Sequence, residues 1–285
     1  MLQSLHNVLA PAKLNLFLHI TGRRADGYHL LQSVFMLIDW CDTLHFDVDL
    51  QGEIQRIDLN TPLPADDLIV RAARALQSAS GTTLGAEIRI DKQIPAQAGM
   101  GGGSSDAAST LLALNKLWGL NWPITELVPI GLKLGADVPF FLYGYNAWVE
   151  GIGEQISPVP LPASRFVVVK PNVGIETARI FSHPALERAT KTATISDFAV
   201  QPYDFGRNDL QPVAQALCPE VEKALEWLQS FGLKPRMTGS GSAVFAQLPE
   251  HFVVDNPPHN WIVKTCRNLV SHPLREWMDS KTVNG

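Results

Sequence analysis

Residues 97–109 read QAGMGGGSSDAAS, four glycines and the pair Ser104-Ser105 placed directly ahead of a segment with helical spacing. Backbone N–H groups in such a loop can turn inward as an anion nest, and the helix that follows adds unpaired N–H donors and its positive end. That is phosphate-binding chemistry. Either Ser104 or Ser105 would cap the helix and leave a hydroxyl for a phosphate oxygen or a magnesium ion, while the missing Cβ atoms admit a close ligand. The plainer alternative is a flexible turn with an ordinary serine cap. Of two familiar phosphate loops, the first is excluded and the second matches poorly. The pattern G-x-x-x-x-G-K-[ST] needs a lysine where Gly103 stands. A G-x-G-x-x-G fingerprint started at Gly99 finds Ser104 at its third glycine, and the segment LNWPITE some twenty residues on offers no strand-end acid for a ribose. What remains is a strand over 85–94, then P-x-x-x-G-x-G-G-G-S-S, then a helix.

The elements that must hold this loop are legible around it. AKLNLFLHI (12–20) alternates, which predicts a strand with Lys13, Asn15, Phe17 and His19 on one face and Ala12, Leu14, Leu16, Leu18 and Ile20 on the other, the second face being core. GRRADGYH (22–29) reads as a glycine-punctuated turn, and strand character resumes over 33–48. Helices are predicted over 66–79 with acidic residues in the first turn, over 105–118 with Ala108, Leu111, Leu112 and Trp118 facing inward, and over about 125–134, where Pro129 is placed near the start. GAEIRIDKQIP (85–95) is a further strand. The proline-rich SPVPLPAS (157–164) is the candidate linker, giving domains over 1–160 and 161–285. Beyond it lie a buried strand (165–171), a short helix begun by ETARIF, an amphipathic helix (219–231) stopped by Gly232, and RMTGSGSAVFAQL (236–248) as strand, glycine turn, strand. Strands and helices in this irregular order predict an α+β fold.

The chain has 285 residues, 46% hydrophobic and 18% charged, with net charge −5, which fits a folded protein with sizeable cores. A mildly acidic chain has no global attraction to nucleic acid or to an anionic membrane, so neither is an expected partner and an anionic ligand needs a local site. Cys41, Cys218 and Cys266 are odd in number, far apart and without a C-x-x-C pair, which points away from disulfides and zinc and toward the cytoplasm. The opening MLQSLHNVLAPAKLN lacks a basic and then apolar leader, so export is not expected.

At PAQAGMGGGSSDAA (95–108) the chain resembles the GHMP kinase superfamily, whose ATP loop has a leucine where Met100 stands here, a volume-conserving difference. PAKLNLFLHI (11–20) and MTGSGSAVFA (237–246) resemble the other two motifs of that superfamily. GRRADGYHLLQSVF, LIVRAARAL, GADVPFF and NDLQPVA are similar to one branch of it, whose acceptor is a methylerythritol linked to cytidine diphosphate and phosphorylated on its 2-hydroxyl in isoprenoid-precursor biosynthesis. The resemblance implies a two-domain fold, an N-terminal domain like ribosomal protein S5 and a ferredoxin-like C-terminal domain, with the active site in the cleft between them. It implies ATP as phosphoryl donor with Mg2+, a small-molecule substrate, and a monomer or homodimer.

Phosphoryl transfer needs an in-line acceptor hydroxyl, a group to take its proton, and positive charge where negative charge develops. Asp137, in G-A-D-V-P, is the candidate base; on residue type alone it could equally cap the turn that follows. The resemblance pairs it with Lys13, a residue that would otherwise read as a solvated strand lysine, and has Asn15 orient the acceptor. For ATP it implies the run Pro95, Ala96, Gln97, Ala98, Gly99, Met100, Gly101, Gly102, Gly103, Ser104 and Ser105, with Ser105 as the metal ligand. Lys92 is expected to reach the phosphates or ribose, or else to be a solvated strand-end lysine. Asp67 stands where relatives commonly carry Asn, and an acid cannot donate as an amide does. For the cytidine end, Tyr28 and Phe181 are expected to stack on the base and His29 to read its edge. Thr177 is expected to cap the helix of Phe181 and face the substrate. Gly239 and Gly241, in a turn that also suits a plain hairpin, are expected to close over the site.

Overall fold

The alternating segments at the start of the chain form two long strands, β1 (Ser4–Arg23) and β2 (His29–Asp49), joined by a tight turn and paired antiparallel. They are followed by β3 (Ile54–Asp58), α1 (Leu68–Ser80), β4 (Gly85–Asp91), α2 (Gly102–Leu117), α3 (Ile124–Leu134), α4 (Val138–Tyr143), β5 (Ala147–Glu150) and β6 (Gln155–Pro158). The second half contains β7 (Arg165–Lys170), α5 (Thr177–Phe181), α6 (Ile195–Val200), α7 (Gln211–Leu217) and α8 (Pro219–Gln229). It closes with β8 (Arg236–Met237), β9 (Val244–Leu248), β10 (Ile262–Arg267) and α9 (Arg275–Met278). This computed structural model describes residues 2–278.

Two sheets result. The first has the order β3-β4-β2-β5-β6 with β1 paired to β2; β3 and β4 run parallel through the α1 crossover and the other pairs are antiparallel. The second, β10-β7-β9-β8, is antiparallel throughout. Three cores stack on them: one under α1 to α4 (Phe46, Ile88, Leu111, Phe140), one between the sheets (Leu14, Met36, Phe166, Phe245), and one beneath α7 and α8 (Val167, Val213, Val221, Leu228). The layer order is therefore helix, sheet, sheet, helix, an α+β arrangement of the expected class.

Because the first sheet lies between helices and a second sheet, β1 is buried on both faces rather than one. Register shifts between Pro11 and Lys13 and between Asn15 and Leu18 also break its alternation, so Leu16 and Phe17 enter the same core. Several local readings need correction. α2 begins at Gly102, three residues early, because Gly101 supplies a left-handed N-cap (φ 70°); Ser104 and Ser105 lie inside the helix and neither caps it. In α1 the acid at the start is the N-cap Asp67, with none in the first turn. Pro129 is the sixth residue of α3, past the first-turn N–H groups that lack partners. The N-cap of α5 is Glu176, with Thr177 its first residue. The proline-rich segment is only partly a linker: Ser157 and Pro158 belong to β6, and Val159 is buried and bonded to Asn146 O at 2.9 Å.

Candidate active site

The irregularity of β1 builds the centre of the site. Just past a register shift, Lys13, paired with Leu37 in β2, donates its N–H to Met100 O of the glycine loop at 2.9 Å. The Lys13 side chain is 4% exposed, bonds Asn15 Oδ1, lies 4.7 Å over the Phe35 ring and pairs with Asp137 Oδ2 at 3.6 Å. Burial pulls the ammonium below its ordinary value, and the Asp137 carboxylate opposes that pull. Asp137 holds the N-cap position of α4, yet its side chain makes no capping bond and stays partly open. Its carboxylate is turned to the lysine instead of to the helix.

Lys13, Asn15 and Asp137 share the wall of a cleft of about 980 Å³ with the loop 95–104 and with Thr177, Phe181, Gly239 and Gly241. The glycines are needed where the two loops meet. A Cβ on Gly99 (φ 73°) would lie 2.2 Å from Thr238 O, and one on Gly239 (φ 53°) would lie 2.6 Å from Gly99 O. Ser242 N and Ala243 N then donate to Gln97 O and Ala98 O, and Thr238 Oγ1 accepts from Asn15 N at 2.9 Å. The 238–242 turn is thus bonded to the phosphate-loop segment from the second sheet, beyond what a hairpin requires. Asn208, from NDLQPVA, fixes the turn by donating to both Met237 O and Gly239 O at 2.8 Å.

Lys92 is not solvated, although it lines the cleft beside the glycine loop. Its ammonium, 10% exposed, is clamped by Asp42 and by Asp106 at 2.7 Å, both carboxylates being essentially buried. Burial lowers the lysine, but the two acids more than offset this and its pKa is raised; burial raises the Asp106 carboxyl well above the carboxylate range. Asp42 also accepts from Gln93 N and Ile94 N, which aligns the entry to the loop. Asp67, which also lines the cleft, caps Val70 N at 3.1 Å and pairs with Arg56 at 2.6 Å. Ser104 lines the cleft, whereas Ser105 is fully buried with an unpartnered Oγ. Among the described residues no three His, Cys, Asp or Glu side chains gather as a metal site.

The remaining residues divide. Thr177 Oγ1 meets Ser240 Oγ at 2.7 Å, joining α5 to the glycine turn. His29 and Phe181 come together with ring centroids 5.2 Å apart. Tyr28 does not join them: it is 62% exposed in the turn after β1, held through Asp26 Oδ1 and Arg24 N. Asp42, Asp106, Asn208 and Arg188 were invisible to residue-type reasoning, because their significance comes from partners distant in sequence. A second cavity of about 550 Å³, lined by Asp39, Arg165 and Arg267 among others, holds none of the predicted residues.

With this geometry established, similarity to known proteins can be stated. The GHMP kinases N terminal domain matches residues 67–145 and the GHMP kinases C terminal domain residues 190–252. The 4-diphosphocytidyl-2-C-methyl-D-erythritol kinase of Albidiferax ferrireducens is 66% identical, covering 97% of this chain and 96% of that one. The enzyme of that name from Polaromonas naphthalenivorans is 62% identical, covering 97% of each. A crystal structure of 4-(cytidine 5'-diphospho)-2C-methyl-D-erythritol kinase superposes with TM-score 0.73 and 34% identity over 84% of this chain and 88% of that one. A homoserine kinase from Cytophaga hutchinsonii shares the fold, with TM-score 0.67 at 16% identity over 95% of this chain and 96% of that one. By motif, by fold and by similarity along nearly its full length, this chain belongs to the 4-diphosphocytidyl-2-C-methyl-D-erythritol kinase family of the GHMP kinases.

Proposed function

We infer that the chain transfers the γ-phosphoryl group of ATP to the 2-hydroxyl of 4-diphosphocytidyl-2-C-methyl-D-erythritol, yielding the 2-phosphate and ADP in isoprenoid-precursor synthesis. The observation that carries the reading is the Lys13–Asp137 pair, 3.6 Å apart on the wall of one cleft with the glycine loop. Asp137 takes the acceptor proton. Lys13 stabilises the developing alkoxide from a site shielded from water. Asn15, tied through its N–H to Thr238 and through Nδ2 to Ser33 Oγ, orients the acceptor. The N–H groups of the 99–103 loop and the first turn of α2 receive the phosphates.

The oxygens present suit Mg2+ arriving with ATP rather than a resident metal: Ser105 Oγ is a buried hydroxyl without a partner, and Asp106 Oδ1 is likewise unpartnered. Ser105 is the ligand we assign, and the ion would neutralise charge on the β- and γ-oxygens. Phe181 supplies a stacking face and His29 the polar contact for cytosine; Tyr28 joins them only if its exposed turn folds inward on binding. The compartment we take is the cytoplasm, in keeping with free cysteines and an ATP donor.

The test is ADP release by purified protein with Mg-ATP and, in parallel, the cytidylyl substrate, homoserine, mevalonate and galactose. Turnover confined to the cytidylyl substrate is expected. Turnover of another alcohol instead would overturn the substrate, and silence with all four would overturn the activity.

A further inference from the structure

Arg188 lies in the loop between α5 and α6 and belongs to none of the motifs that identify the family, yet each of its five guanidinium N–H groups has an acceptor. Nη1 donates to Leu186 O at 2.9 Å and Pro184 O at 3.4 Å, and Nη2 to His183 O at 2.7 Å and Phe181 O at 3.4 Å. The fifth, on Nε, donates to Nε2 of His29 at 3.3 Å. An arginine whose fork is fully occupied has no donor left for a substrate phosphate. Whatever it contributes must pass through the groups it holds, and those are the loop carbonyls, including that of Phe181, and the His29 ring.

The His29 contact has a chemical consequence. A guanidinium N–H can only donate, so His29 Nε2 must accept, and in a neutral imidazole the proton then sits on Nδ1. A second proton on Nε2 would set N–H against N–H beside a permanent positive charge. Burial keeps the imidazole below its usual value, and the charges of Arg188 and Arg23 push the same way. The ring that lies 5.2 Å from that of Phe181, tilted by 39°, is therefore a donor at Nδ1. Cytosine and uracil differ at N3, an acceptor in the first and an N–H donor in the second. A fixed donor is satisfied by one and faces an N–H on the other.

We propose that Arg188 is a positioning residue that locks His29 as its Nδ1–H tautomer and thereby makes the base-binding end of the cleft select cytosine over uracil. The proposal rests on the cytidylyl-substrate reading above and adds the residue that sets its selectivity.

Two measurements test it. In the unmodified protein, long-range ¹H–¹⁵N correlation spectra of the histidine rings should show His29 protonated on Nδ1 and bare at Nε2; the opposite tautomer would overturn the proposal without any variant. The second measures kcat/KM for cytidine- and uridine-diphosphate-linked methylerythritol in wild type, Arg188→Met and Arg188→Lys. In Arg188→Met the cytidine preference should fall about tenfold, the scale of one directed hydrogen bond, through KM for the acceptor with KM for ATP unchanged. Arg188→Lys, which retains a donor, should recover part of it. An unchanged cytidine-to-uridine ratio in Arg188→Met would overturn the proposal. Absence of cytidylyl turnover in wild type would instead overturn the function on which it rests.

Discussion

Replacing Lys92 with Met removes the only cation from a buried group of three charges. The side chains of Lys92, Asp42 and Asp106 are 10%, 0% and 2% exposed, so little solvent reaches what remains. Asp42 keeps two backbone N–H donors, from Gln93 and Ile94. Asp106 loses the ammonium at 2.7 Å, and its Oδ1 has no hydrogen-bond partner to begin with. Breaking a buried pair by deleting one partner costs about 3–5 kcal/mol. That is a large share of the roughly 5–15 kcal/mol that holds a folded protein together. At roughly 2–4 °C per kcal/mol for a protein of this size class, Tm should fall by roughly 6–20 °C. The sign of the pH dependence follows from linkage. Burial raises the Asp106 carboxyl in the folded protein, so the folded state holds more protons than the unfolded one. Stability is therefore lost as pH rises through the folded pKa and recovered as pH falls. Urea denaturation followed by circular dichroism at pH 8 and at pH 5.5 should show the deficit against wild type narrowing at the lower pH. A deficit below about 1 kcal/mol at pH 8, or one independent of pH, would refute the account of the triad as a mutually neutralising unit.

Asp137→Asn should lower kcat by about 10²–10⁴-fold, the usual range for a general base, with KM for ATP within a factor of about three; steady-state kinetics showing near-normal kcat would remove Asp137 from the role. The same variant takes the carboxylate away from the buried Lys13 ammonium, so thermal unfolding should also show a loss of stability, smaller than for Lys92→Met because Asp137 itself is 30% exposed. Gly239→Ala places a Cβ 2.6 Å from Gly99 O at a left-handed backbone position and should cost about 2–3 kcal/mol, visible in thermal unfolding, together with weaker ATP binding. An unchanged Tm would mean the two loops do not meet as described. Burial pushes the His272 imidazole down to about 3, so the unfolded chain takes up its proton first as pH falls. That contribution is complete above about pH 6.5 and is lost below it at up to about 1.4 kcal/mol per pH unit. His272→Gln should flatten the acid limb of the stability curve between about pH 6 and pH 4, and an equally steep limb would assign acid lability elsewhere.

The reach of the sequence can be judged at particular residues. The helix over Leu68–Ser80 is legible because its apolar spacing lies within one segment, although the acid read into its first turn proves to be its N-cap, Asp67. The serine cap predicted for α2 fails because Gly101, left-handed and with Phe141 and Lys13 filling the space a Cβ would need, starts the helix at Gly102. Lys92 is a comparable case. A strand-end lysine next to a phosphate loop looks like a ligand for anions, and only the approach of Asp42 along β2 and Asp106 in α2 shows that its charge is already neutralised. Tyr28 and His29 are adjacent in sequence, yet one is exposed in a turn while the other packs on Phe181, a division that the dipeptide cannot express.

What the sequence by itself determined is therefore what short-range chemistry encodes. The phosphate-type loop and the alternating strands and helices suffice for the α+β class, because turns, caps and periodicity act within a few residues, and the resemblance of three motifs in order implies the kinase family. Tertiary structure alone decided which charges meet. The 3.6 Å approach of Lys13 to Asp137, the clamp on Lys92, the interlocked glycines 99 and 239 and the hold of Arg188 on His29 all join residues far apart in the chain. Electrostatic and hydrogen-bond strengths depend on distance and burial, and both exist only once the sheets have stacked.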